Sequence, residues 1–156
     1  MNLEEECYRV DLQLVGPKDG YQLLLRAVVS GLGVLTRPIN LLVDTGSALP
    51  LLLKKSDAIQ LQVRIRGESS SIIGLSLRSI KSIRLNRRAN IAFKAASGEF
   101  LRFPNIPVEV LDFPHKKRGG YHRDLSWSLV GLPFLRKYNM LVDMRGPCLW
   151  IPKKQG

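Results

Sequence analysis

Two histidines and two cysteines are all that a chain of 156 residues carries of the side chains that most often hold transition metals. His115 and His122 flank Lys116-Lys117-Arg118, with no Ser or Cys nucleophile motif beside them and no further ligands to complete a metal site, so they read as solvated loop histidines. Cys7 and Cys148 lie near opposite ends. They lack both the clustering of a zinc site and the density of a small disulfide scaffold, and they read as thiols, with a terminus-to-terminus bridge as the alternative. No metal and no cofactor is expected. Long apolar runs are missing as well. The longest, Ile39 to Leu53, is too short for a membrane span and contains Asp44, which would cost roughly 3 kcal/mol at a bilayer centre. The opening Met1 to Glu6 is acidic, with neither a basic n-region nor an apolar h-region, so the expectation is a cytoplasmic protein without a secretory leader. Acidic residues are outnumbered, 13 against 24 Lys and Arg, for a net charge of +11. That balance attracts nucleic acid or acidic partners, although a solvated basic surface accounts for the same residues.

What the chain has in quantity is short apolar segments separated by turns. One domain over 1–156 is expected, with a core from 8 to 151. Tyr8, Val10, Leu12 and Leu14 alternate with polar neighbours, the period of a half-buried strand, and Gly16 to Gly20 reads as a turn into a second strand, Tyr21 to Ser30. Ile39, Leu41, Leu42 and Val43 predict a strand buried on both faces that ends at Asp44-Thr45-Gly46. Ile59, Leu61, Val63 and Ile65 predict another strand, and Gly67 to Ser71 a polar hairpin tip. Leu75, Leu77, Ile83 and Leu85 continue the pattern with a phase slip near Ser79-Ile80. Further strands are expected at 91–94, 100–103 and 106–111. The segment from Asp112 to Leu125 is a loop, and its stretch 114–123 forms a basic insertion. Trp127 to Gly131 reads as a strand, Pro133 to Tyr138 as a short helix with proline in its first turn, and Met140 to Met144 as a final strand. The fold class is therefore all-β with one short C-terminal helix.

Asp-Thr-Gly is a short string, and its context gives it weight. Asp44 follows the apolar Leu41, Leu42 and Val43, Ser47 follows the glycine, and another apolar stretch begins at Leu49. A carboxylate at the end of a buried strand is costly unless a partner or a function holds it there. A second stretch, Leu129-Val130-Gly131 followed by the short helix and Met140 to Asp143, completes the pattern. Together these resemble the retropepsin-like aspartic proteases, the single-domain, retroviral-type family. The resemblance implies an acid-protease barrel that is homodimeric, an aspartic endopeptidase acting on polypeptides. Asp44, Thr45 and Gly46 would be catalytic, Thr45 bonding across the dimer and Gly46 offering its N–H to the aspartate. Ser47, Val130 and Gly131 would line the substrate site. A hairpin flap, Val63 to Leu77, would add Gly67, Ser69, Ser70, Ile72, Ile73 and Gly74.

One Asp-Thr-Gly per chain explains the need for two chains. Peptide hydrolysis by this route uses two carboxylates around one water, one ionised and one protonated. The near-echo Leu141-Val142-Asp143-Met144-Arg145-Gly146 lacks the Thr and Gly that hold such a carboxylate and reads as structural. Two other readings stand beside the protease: a retropepsin-like dimerisation or peptide-binding module with weak catalysis, and a basic β-domain binding nucleic acid through Lys116, Lys117, Arg118 and Tyr121, or through Arg78, Lys81, Arg84, Arg87 and Arg88. Trp127 and Trp150 read as core or dimer-interface aromatics.

Overall fold

The computed structural model describes residues 2–16, 20–65, 67–73, 79–111 and 126–155. A single turn of helix, α1 (Leu3–Glu6), leads into β1 (Cys7–Asp11), β2 (Gln13–Val15), β3 (Gln22–Ser30), β4 (Arg37–Asp44) and β5 (Leu51–Leu53). After α2 (Lys55–Gln60) come β6 (Gly67–Ile73), β7 (Ser79–Leu85), β8 (Ala89–Lys94), β9 (Phe100–Ile106), β10 (Val108–Leu111) and β11 (Ser128–Gly131). The chain finishes with α3 (Leu132–Lys137), β12 (Leu141–Asp143) and β13 (Cys148–Pro152). No helix among the described residues is long and apolar enough to cross a membrane.

One curled sheet dominates, in the order β6-β7-β10-β5-β11-β4-β3-β8-β9, with β2 paired to the start of β3. Its inner face closes on a core in which Leu25, Leu41, Leu51, Leu53, Ile91 and Val130 are almost wholly buried. The aromatic side chains of that core join sheet to helix. Phe103 stacks on Phe93 at 5.0 Å and meets Tyr138 edge-on at 4.6 Å and Phe134 at 5.5 Å, so α3 is fixed against β8 and β9 by ring contacts. A second sheet, β1-β13-β12, brings the two ends of the chain together, Cys7 opposite Pro152 and Asp11 opposite Cys148. In that sheet the two thiols are buried and free. They stand four residues apart along antiparallel strands with Trp150 between them, beyond the reach of a disulfide.

Several expectations need correction. Residues 59–65 are not a strand. Lys55 to Gln60 form a helix whose Ala58 and, one turn on, Leu61 enter the core, while Ile59 is 63% exposed. The alternation of Ile59, Leu61, Val63 and Ile65 coincided with a helix followed by its C-terminal turn. Gln62 takes φ +53°, and Gln62 N–H and Val63 N–H bond Ile59 O and Ala58 O, the paired bonds of a Schellman ending. The described residues thus contain three helical segments where one was expected. Gly67 to Ser71 are also not a hairpin tip: Gly67 to Ile73 pair in register with Leu85 to Ser79, so Gly67, Ser69 and Ser70 lie along a strand. Residues 74–78, with Gly74, and the basic insertion 114–123 lie outside the described residues. The irregularity expected near Ser79 occurs instead between Ala89 and Ile91.

Candidate active site

β4 carries Asp44 to the edge of the core and stops there. Its inner face buries Ile39 and Leu41, whereas Leu42 and Asp44 are half-buried on the opposite side, so the strand is not fully buried on both faces as expected. The chain then reverses. Ser47 N–H bonds Asp44 O at 3.2 Å, and Gly46 N–H donates to Asp44 Oδ1 at 3.0 Å, which orients the carboxylate from within its own turn. Ser47 Oγ accepts the Leu49 N–H at 3.1 Å and shapes the exit into β5.

β11 runs between the two limbs of this turn. It is parallel to β4, with Gly131 opposite Asp44 and Leu129 opposite Leu42, and antiparallel to β5. Gly131 N–H bonds Pro50 O at 3.1 Å, and Leu132 N–H bonds Ser47 O at 3.0 Å. The approach is so close that a Cβ on Gly131 would overlap Leu49 O and come within 2.8 Å of Ser47 O. The two motifs of the sequence are therefore one structural unit, and glycine at 131 is a requirement of backbone contact.

Asp44, Thr45, Gly46, Ser47 and Gly131 come together. Val130 does not join them, because it is fully buried in the main core. Its neighbour Leu129 takes the open side, where Leu129, Leu52 and Leu111 form a separate apolar cluster with Leu42 and Leu49 against it. Those five leucines were missed in the sequence. The available signal was parity: on β4 and β11, residues two apart share a face, and Leu42 shares Asp44's. β6 and β7 sit at the edge of the same sheet, beyond β10.

Two buried carboxylates also escaped the sequence reading. Ser128 Oγ donates to Asp57 Oδ2 at 2.6 Å and accepts the Lys54 N–H at 2.9 Å, tying α2 to β11. Ser82 Oγ donates to Glu109 Oε1 at 2.8 Å. Asp143, the near-echo of the motif, is committed to structure. It accepts Arg145 N–H, Arg145 Nε–H and Nη2–H, and Trp150 Nε1–H, all at 3.0–3.2 Å. The Arg145 side chain first, then its backbone N–H and the indole, hold this carboxyl well below the usual range. Trp127 is half-buried and donates through Nε1 to Gln22 at 3.1 Å. Burial pushes both thiols upward. No cluster of three metal-ligating side chains exists among the described residues.

The chain's fold matches that of a solved structure over nearly its whole length. The crystal structure of a retropepsin-like aspartic protease from Rickettsia conorii covers 94% of this chain and 94% of its own, with a TM-score of 0.54 and 20% sequence identity. The fold is retropepsin-like. No protein-family model matches the sequence, and no curated protein matches it either.

Proposed function

We propose that this chain is one half of an aspartic endopeptidase whose active site is completed by a second copy. The observation that carries the reading is the Asp44-Thr45-Gly46 turn, with Gly46 N–H on the carboxylate, held by the Gly131 strand in a retropepsin-like fold. In this reading a twofold axis brings two Asp44 side chains around one water. Like charges about 3 Å apart cannot both ionise, so the pair shares a proton and titrates as a unit. The ionised member takes a proton from the water as its oxygen attacks the peptide carbonyl. The protonated member hydrogen-bonds the carbonyl oxygen and then delivers a proton to the leaving nitrogen.

The leucines at 42, 49, 52, 111 and 129 supply an apolar wall beside the carboxylate, which favours substrates with large apolar side chains flanking the scissile bond. The β6–β7 hairpin is the element available to close over a bound peptide and exclude water. Replacing Asp44→Asn should abolish cleavage of an unfolded protein or peptide while sedimentation still reports a dimer. Turnover equal to the parent would refute the dyad. A statine-type peptide should inhibit the parent, and activity should rise below neutral pH and fall again once both carboxyls are protonated.

A further inference from the structure

The outward face of the sheet at β3, β8 and β9 carries features that hydrolysis does not use. Ala27, Val29, Ile91, Phe93 and Phe103 point into the core, so the residues alternating with them point away from it. Register fixes which of these share the face. Val28 is opposite Ala92, Ala92 opposite Arg102, and Lys94 opposite Phe100, while Arg26 lies two residues before Val28. Arg26, Lys94, Arg102 and Phe100 therefore stand on one side of three adjacent strands, within about 10 Å across the sheet.

All three cations are exposed, and Phe100 is 61% exposed. A lone exposed aromatic is ordinary. This one is set among positive charges on a pleated surface. Lys94 and Arg102 make no ion pair among the described residues, and Arg26 donates to Asn40 Oδ1 at 3.3 Å. The neighbouring carboxylates face other groups: Asp11, which borders the same hollow as Arg26, is paired with Arg9 at 3.0 Å, and Glu99 lies close enough to the Tyr8 hydroxyl to push its pKa up. With a chain charge of +11, the face is complementary to a polyanion.

We infer that this face binds single-stranded nucleic acid, with a base stacked on Phe100 and flanking phosphates held by Arg26, Lys94 and Arg102. A single strand offers what the face can use, an unpaired base with a free π surface next to evenly spaced negative charge. A duplex hides its bases, and a lipid surface would favour a broad apolar patch over one ring among cations. This site is independent of Asp44.

The test is fluorescence anisotropy of the full chain with a labelled 12-nucleotide oligothymidylate, titrated across salt concentrations. The single strand should bind more tightly than a duplex of equal length. Phe100→Ala should weaken binding about tenfold at fixed salt, and Phe100→Trp should retain it. The triple change Arg26→Gln, Lys94→Gln and Arg102→Gln should reduce the slope of log affinity against log salt by about 2. All four side chains are exposed, so unchanged thermal midpoints are expected and serve as the folding control. Absence of binding at low salt, indifference to Phe100→Ala, equal loss on changing Arg87 and Arg88 to Gln instead, or binding only to phosphatidylserine vesicles would each overturn the assignment.

Discussion

Position 131 has room for a hydrogen and nothing larger, and that determines how near β11 can lie to the turn bearing Asp44. Gly131→Ala would drive a methyl group into Leu49 O, a backbone atom that cannot swing aside. We expect a loss of about 3 kcal/mol, a drop of roughly 10 °C in thermal midpoint measured by calorimetry. Asp143 supports a different test. Its carboxyl is held below the ordinary range in the folded chain, so it stabilises the fold above about pH 4, where the unfolded aspartate is ionised, and that contribution fades as pH falls toward the folded value. The gap in urea midpoint between the parent and Arg145→Gln should accordingly be constant near neutrality and narrow below pH 4. Sequence reasoning reached Gly131 and the structural nature of Asp143 because each sits in a motif with a chemical rationale. It missed Asp57, since Lys-Ser-Asp reads as surface and only the folded chain brings Ser128 across to bury it.

Among the elements, strands with strict alternation were legible and short mixed segments were not. The β3 and β4 strands and the helix after Gly131 follow from apolar spacing and the proline at α3's start. The helix α2 was hidden, because six residues provide fewer than two turns of periodicity and the following turn happened to extend an apparent period of two. What fixes α2 is tertiary: Ala58 and Leu61 in the core, and the Asp57–Ser128 hydrogen bond to β11. Ser128→Ala removes a donor from a buried carboxylate and should cost about 1–3 kcal/mol in chemical denaturation, whereas an exposed serine such as Ser97 should tolerate the same change within about 0.5 kcal/mol. The leucine wall went unread for a related reason. A strand that is apolar on both faces looks doubly buried, and only the position of β11 and β5 leaves one of β4's faces open.

At the scale of the molecule, the dyad reading makes activity a property of pairs. Mixing parent and Asp44→Asn chains in equal amounts and allowing exchange should leave about one quarter of the dimers with two aspartates, and cleavage should fall to about that fraction of an undiluted parent sample at the same total concentration. A linear fall to one half would show that each chain acts alone. The mostly β class and the pairing of the two motifs were legible in the sequence. The three-stranded sheet that joins the chain's ends was not, because pairing between residues some 140 positions apart leaves no local trace. That sheet has a consequence for the order of folding. The strand at Cys7 to Asp11 takes its ladder partner among the described residues from Cys148 to Pro152, some 140 positions further along the chain. Contacts so distant in sequence form slowly, so this sheet should close after the local hairpins β3–β4 and β8–β9 have formed.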